Sequence, residues 1–175
     1  MSNRGLIAIS AILLILSASA LAQSNIPADI KAKMNGVVGT WEFSEETLQT
    51  PSSDPVEVSG EWVARWIYDS LIEWRGTFIA AESKFTTVEF EGYDSQNQGF
   101  TYWFTSHGFR GNLYDGVWDG NTISFQEKSV APDGSTTRGR CKFSYNDNFT
   151  KQDYTCDEYT DGAWWTSRRG SARKK

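Results

Sequence analysis

The chain has 175 residues with a formal net charge of −5, and 14% of its residues are aromatic, including eight Trp. This length predicts one domain that can bury a hydrophobic core of its own. The acidic balance argues against a nucleic-acid partner, because the protein would repel nucleic-acid phosphates.

The first residues have the pattern of a secretory signal. Arg4 precedes an apolar run over residues 6–16, and a small-x-small sequence follows at 20–22. This pattern predicts a cleaved signal peptide over residues 1–22 and a secreted or periplasmic mature protein. The alternative is an uncleaved membrane anchor, but a bilayer span needs about 20 apolar residues. No later stretch is apolar enough to cross a membrane, so we expect no integral membrane segment after cleavage.

Residues 23–36 are predicted to form a short helical cap rather than a domain. Pro27 suits a first helical turn, and Gly36 suits the position that follows a helix end. We therefore expect one or two helical turns over residues 26–35.

Past this cap, apolar and polar residues alternate, as in strands with one buried and one exposed face. Turn compositions such as Asp119-Gly120 and Asp161-Gly162 interrupt the alternation. The ten predicted strands are 37–48, 61–68, 71–79, 84–93, 100–106, 113–118, 122–128, 138–145, 152–159 and 163–169. Because a row of antiparallel strands has two open edges, we expect it to close into an all-β, up-and-down antiparallel barrel over residues 37–169.

The end of the chain is strongly basic. The basic residues there are Arg168, Arg169, Arg173, Lys174 and Lys175. Residues 170–175 are predicted to be a basic tail that frays and adds solubility. The alternative is a tail that contacts an anionic membrane or an acidic partner.

The two cysteines, Cys141 and Cys156, are predicted to form a disulfide, because their number is even and we expect the chain to be exported. A four-residue hairpin loop at 147–150 would place Phe143 opposite Tyr154 and Cys141 opposite Cys156. A redox motif needs a different spacing, and two thiols are too few for a zinc site.

Several pieces of the sequence carry a family resemblance. A strand that opens Gly39-x-Trp41, with Arg168 or Arg169 in the last strand, looks like the lipocalin–calycin group, in which an Arg packs over that Trp. The segments VGTWEFSEE, RWIYDSLIEWRGTF and EFEGYDSQNQGFTYWF are similar to a bacterial secreted family of lipocalin-like barrels, DUF family 1579. The resemblance covers residues 37–169 and implies a lipocalin-like barrel. It implies little about function, because none is established for the family.

The alternation also suggests which side chains face the barrel interior. Large rings on one face of the central strands would form a wall for a small apolar or amphipathic molecule. The predicted ligand-binding wall consists of Trp66, Trp74, Phe90, Tyr102 and Phe104. The alternative is that these rings fill the barrel completely.

Non-catalytic binding is the function that the sequence favours. A small enzyme would need a polar pair inside the barrel, and Glu73 with Arg75 is the candidate, although an exposed same-strand pair is the favoured interpretation. An envelope interaction module that acts through the acidic surface or the basic tail is a third alternative. The single histidine, His107, fits a turn better than a haem or metal ligand. We predict no catalytic residue, no metal and no cofactor, while the ligand and the oligomeric state stay open.

Overall fold

The computed structural model describes residues 26–81, 83–106, 109–130 and 133–175. The predicted signal peptide and His107 lie outside the described residues. The described elements are α1 (Ala28–Val37), β1 (Gly39–Thr47), β2 (Val56–Tyr68), β3 (Leu71–Ala80), β4 (Ser83–Asp94), β5 (Gly99–Ser106), β6 (Phe109–Asp119), β7 (Thr122–Val130), β8 (Thr136–Tyr145), β9 (Lys151–Thr160) and β10 (Ala163–Lys174).

The ten described strands close into one antiparallel barrel. Each strand pairs with its neighbours in sequence, and β1 pairs with both β2 and β10. Closure thus pairs the first and last strands, which would otherwise be the open edges of the sheet. This arrangement confirms the predicted all-β up-and-down barrel and the short helix before its first strand.

Helix α1 closes one end of the barrel. Its Met34 is fully buried, and Trp41 at the start of β1 donates its indole N–H to the carbonyl of Val37 at 2.9 Å. Gly36 packs against the ring of Phe149 in the β8–β9 turn, where an added Cβ would lie 2.6 Å from the Phe149 Cγ. A residue with a side chain would not allow this close approach, so a glycine is needed to seat the helix.

Strand β10 is longer than predicted. It runs to Lys174, which lies opposite Trp41 of β1. The prediction that residues 170–175 fray is therefore wrong. The prediction failed because the basic residues of this segment suggested an exposed tail. The segment is a strand, and its Ala172 faces the interior and is 6% exposed.

Lys174, rather than Arg168, supplies the cation over the motif tryptophan. Its Nζ lies 5.1 Å from the centroid of the Trp41 ring and donates to the carbonyls of Gly36 and Val38 at 2.6 and 2.8 Å. Arg168 lies earlier in β10 and lines the barrel interior. The expectation that Arg168 packs over Trp41 is wrong, because the long β10 places a different basic residue opposite this ring.

The β8–β9 hairpin has the predicted register. Phe143 lies opposite Tyr154, and Cys141 lies opposite Cys156. The two cysteines form a disulfide, with their Cα atoms 4.1 Å apart. The predicted pairing is confirmed, and such a bond is typical of proteins that fold in oxidising compartments.

Replacing both cysteines by alanine is expected to lower the free energy of unfolding by about 3 kcal/mol, because the bond restricts the unfolded chain. Urea denaturation of the Cys141→Ala, Cys156→Ala protein measures this loss. Wild-type protein with and without reductant is the control, since reduction should reproduce most of the effect. Equal stability in all three samples would show that the bond does not stabilise the barrel.

Candidate functional site

A cavity of about 890 Å³ occupies the interior of the barrel, and all ten described strands contribute to its lining. The lining extends to Gln49, Ser83 and Lys84, which lie at the strand ends opposite α1. We call that end of the barrel the open end. The rings therefore do not fill the barrel completely.

Three of the predicted wall residues, Trp74, Tyr102 and Phe104, line this cavity. The ring centroids of Trp74 and Tyr102 lie 6.4 Å apart, within the range of favourable aromatic pairs. Further aromatic residues line the same space, namely Trp62, Phe78, Phe85, Phe125, Phe143, Tyr145 and Tyr154. The structure thus brings together part of the predicted wall and adds rings from other strands.

Trp66 lies at the end that α1 closes. Its indole N–H donates to Asn35 Oδ1 at 2.9 Å, and the Lys31 Nζ lies 3.8 Å from its ring centroid. The helix therefore covers this ring. Trp66 does not line the cavity.

Phe90 lies on the outer face of the barrel, so its inward assignment is wrong. It pairs with Trp103 of β5, whose side chain is on the outside and 47% exposed. The other face of β4 places Glu89 and Glu91 at the cavity instead. Alternation separates the two faces of a strand but does not say which one is inside. The register between strands does identify the inner face, because Glu89 lies opposite the inward-facing Trp74.

Glu89 and Glu91 are held by aromatic hydrogen-bond donors. The Tyr102 hydroxyl donates to Glu89 Oε2, and the Trp74 indole N–H donates to Glu91 Oε2 at 3.1 Å. Desolvation raises the pKa of both carboxyls, and the pKa of Glu91 reaches about 7. Glu91 therefore changes its charge near neutral pH.

A second polar cluster surrounds Arg168, across the barrel from β5. The Arg168 Nε lies 3.9 Å from Glu45 Oε2, which also accepts a 2.7 Å hydrogen bond from the Tyr154 hydroxyl. Burial alone would lower the pKa of Arg168, but the carboxylates of Glu45 and Glu127 outweigh it and raise that pKa. Arg168 therefore stays charged, and carboxylates of the chain itself balance its charge.

The cavity lining is acidic overall. Its carboxylates are Glu45, Glu89, Glu91, Glu127 and Glu158, and its cationic side chains are Arg168 and Lys84. Three polar atoms of lining residues, Gln152 Oε1, Thr87 Oγ1 and Trp62 Nε1, are buried without a hydrogen-bond partner among the described residues. Since buried polar atoms are nearly always paired, these three remain available to a bound molecule.

Glu73 and Arg75 lie on the outer face of the barrel, as the favoured interpretation of the sequence predicts, but only Arg75 is exposed, since Glu73 is 5% exposed beneath its arginine partners. Glu73 forms ion pairs with Arg75 at 2.8 Å and Arg65 at 2.7 Å, and both arginine side chains are mostly exposed. Hydrogen bonds from Arg75 and Arg65 lower the pKa of Glu73. The alternative of an inward Glu73 and Arg75 pair is wrong, because the register places Glu73 on the same outer face as Arg65 and Phe90.

Within the described ranges, one group of side chains has donor atoms close enough together for a metal ion. Donor atoms of Glu127, Cys141 and Cys156 lie within 4.8 Å of one another. The two sulfur atoms are bonded to each other, so neither is a thiolate that could ligate a metal. This group therefore does not support a metal site.

The sequence profile of a family described as a protein of unknown function, DUF1579, matches residues 27–170. The chain belongs to the DUF1579 family. The family resemblance is thereby confirmed. None of the curated proteins compared with this DUF1579 protein is significantly similar to it in sequence.

The crystal structure of Rv2717c from M. tuberculosis is similar to this DUF1579 protein, with a TM-score of 0.64 and 11% sequence identity. The alignment covers 86% of this chain and 99% of that chain. The structure of EF1p2_mFAP2b bound to DFHBI has a TM-score of 0.48 and 9% identity, covering 83% of this chain and 98% of that chain. At 11% identity, the likeness to Rv2717c is one of fold.

In the part of the chain that the structure describes, no helix combines the length and the apolar character that crossing a membrane requires.

Proposed function

We propose that this DUF1579 protein is an exported, non-catalytic binding protein that holds one small amphipathic molecule inside its barrel. The observation that supports the proposal is the interior cavity of about 890 Å³. Pockets for small molecules have volumes of about 300–1,000 Å³ and mix apolar walls with a few polar groups. Because α1 closes one end of the barrel, the molecule would enter through the open end.

The apolar part of the molecule would contact Trp74, Tyr102 and Phe104. These rings come from two strands, β3 and β5, that both pair with β4. Their area is large and their side chains are stiff, so they bury an apolar group at a low entropic cost. Trp66 and Phe90 are not part of this proposed wall.

Export is supported by the disulfide between Cys141 and Cys156, because such bonds are rare in a reducing cytosol. In this proposal residues 1–22 are removed as the signal peptide. The cap at 23–36 and the barrel that follows then make up the mature protein.

Blocking the cavity tests the binding proposal. Thr137 of β8 lines the cavity near the open end, so a tryptophan there would occupy space that a ligand needs. Thr137→Trp is expected to weaken binding of the neutral dye N-phenyl-1-naphthylamine by about tenfold or more. Fluorescence titration measures the affinity and the stoichiometry, for which we expect one dye per wild-type chain.

Thr136→Trp is the matched control, because Thr136 is the exposed neighbour and does not line the cavity. It adds the same ring on the outer face and should leave dye affinity unchanged. Equal affinity in the two variants would contradict the proposal, as would wild-type protein that shows no saturable binding. Native mass spectrometry of the exported protein then identifies any molecule that co-purifies.

A further inference from the structure

We infer that the bound molecule carries a protonated amine, which sits among Glu89, Glu91 and Gln152 while its apolar part extends towards the open end. This inference rests on the proposed binding function and adds the chemical class of the ligand. Three features of the cavity carry it: its unfilled hydrogen-bond acceptors, their depth in the barrel and the balance of charge.

Two of the buried polar side chains in the cavity, Glu91 and Gln152, have acceptor oxygens that need donors. Glu91 is 5% exposed, and its carboxylate accepts a hydrogen bond from Trp74. Gln152 is 4% exposed; its Nε2 donates to the Tyr145 hydroxyl at 2.5 Å, and its Oε1 has no partner in the part of the chain that is described. An ionised carboxylate can accept about four hydrogen bonds, and a protonated primary amine supplies three N–H donors. An ammonium group therefore matches what these side chains lack.

The acceptors lie at the closed end of the barrel. Glu91 is near the end of β4 and Gln152 is near the start of β9, and α1 covers the barrel where these strand ends meet. Phe85 and Phe104 line the cavity towards the open end. An amphipathic molecule that enters headgroup first would place its charge at Glu91 and its chain among the rings.

The charge balance favours a cation over an anion. Arg168 has Glu45 at 3.9 Å, and Lys84 is exposed at the open end. Glu91 takes part in none of the ion pairs formed within the described residues. A ligand carboxylate would add like charge to a lining that already holds five carboxylates. An ammonium would instead give Glu91 the partner that a buried carboxylate requires.

Protonation of Glu91 should then compete with binding. The titratable groups that face Glu89 and Glu91 are Tyr102, Tyr145, Tyr154, Glu45 and Arg168. Burial raises the pKa of the three tyrosines, so they stay neutral, and Arg168 stays charged. Because the pKa of Glu91 is about 7, its charge develops between about pH 6 and pH 8, and cation binding should strengthen over that range.

Four compounds with the same ten-carbon chain test the inference by displacing N-phenyl-1-naphthylamine from the exported protein at about pH 8. They are decylamine, decyltrimethylammonium, decanol and decanoate. Decylamine is expected to displace the dye at a concentration about tenfold or more below those of decanol and decanoate, because a hydrogen bond to a charged group is a strong one. Decyltrimethylammonium, which has no N–H donor, should fall between them.

Glu91→Gln should remove the preference for decylamine over decanol. Glu57→Gln makes the same charge change on the exposed outer face and should keep the preference. A second readout needs no variant: the affinity of decyltrimethylammonium, whose charge is fixed, should rise by up to about tenfold from pH 6 to pH 8.

The outcomes separate the inference from the proposed function. If the dye binds but decanol or decanoate displaces it as well as decylamine does, the inference is overturned and the binding function stands. The same holds if none of the four compounds displaces the dye, or if Glu91→Gln keeps the preference. If the wild-type protein does not bind the dye at all, the proposed function fails and the inference falls with it.

Discussion

Deletion of residues 170–175 is expected to open the barrel and lower the free energy of unfolding by about 5 kcal/mol or more. The deletion removes the part of β10 that pairs with β1 from Glu45 to Trp41. Five paired positions with β1 and four with β9 are lost, and a backbone hydrogen bond contributes about 1 kcal/mol to stability. Since a domain of this kind has a total stability of about 5–15 kcal/mol, we expect the truncated protein to be largely unfolded. Circular dichroism and urea denaturation measure this loss.

A charge variant is the matched control for the deletion. Arg169 pairs with Glu46 at 2.5 Å on the surface, and its side chain is 69% exposed. Replacing Arg169 and Arg173 by Gln keeps the β10 backbone and should cost less than about 1 kcal/mol, as is usual for exposed ion pairs. If the deletion protein is as stable as wild type, the claim that pairing at the end of β10 stabilises the barrel is wrong. A charge variant as unstable as the deletion would show that charge, and not strand pairing, stabilises this end.

These two variants also separate stability from partner binding. If the basic residues bind an acidic partner or an anionic membrane, the charge variant should lose that interaction while the barrel stays folded. A loss of localisation after deletion alone would have no such meaning, because the deletion breaks the β1–β10 seam. The charge variant is therefore the right reagent for testing an interaction role of this end of the chain.

Glu91→Gln is expected to raise the free energy of unfolding at pH 8 by about 3 kcal/mol, with a much smaller effect at pH 5. Burial raises the pKa of Glu91 from 4.5 to about 7, so the folded protein binds this proton more tightly than the unfolded chain does. The stability that this proton contributes is fully present below the pKa of Glu91 in the unfolded chain, and it is lost as the pH rises through the folded-state pKa of about 7. Glutamine has a neutral amide, so at high pH the variant avoids the destabilising burial of a charged carboxylate.

Urea denaturation of both proteins at pH 5 and pH 8 measures this difference. Glu57→Gln, at an exposed position of β2, is the control and should change stability little at either pH. An effect of Glu91→Gln that is the same at both pH values would contradict a raised pKa at this carboxyl. A stabilising effect confined to pH 8 would show that the free protein holds Glu91 at a cost in stability, as binding sites often do.

The disulfide hairpin shows how far local sequence rules reach. The loop length between β8 and β9 places Cys141 opposite Cys156, and the structure has that register. The pairing was predictable because a hairpin is a local structure, in which the turn alone sets the register of both strands. The strand order was predictable for a similar reason, since short turns join neighbouring antiparallel strands.

Local sequence rules did not predict which face of β4 points into the barrel. Its aromatic Phe90 is outside, and its acidic Glu89 and Glu91 are inside, against the usual preference for apolar interiors. The reversal is stable because Tyr102 and Trp74 on the neighbouring strands donate hydrogen bonds to these carboxyls. Those donors belong to other strands, so the alternation within β4 could not reveal them.

The sequence by itself determined the class of fold, the short helix before it and the disulfide, because period-two alternation, turn residues and cysteine spacing are all local signals. Only the tertiary structure decided that β10 continues to Lys174, that the interior is hollow and that it is acidic. Each of these depends on how strands distant in sequence meet around the closed barrel. Pairing between the first and last strands sets the extent of β10, and the register and volume of all ten described strands together set the shape and charge of the cavity.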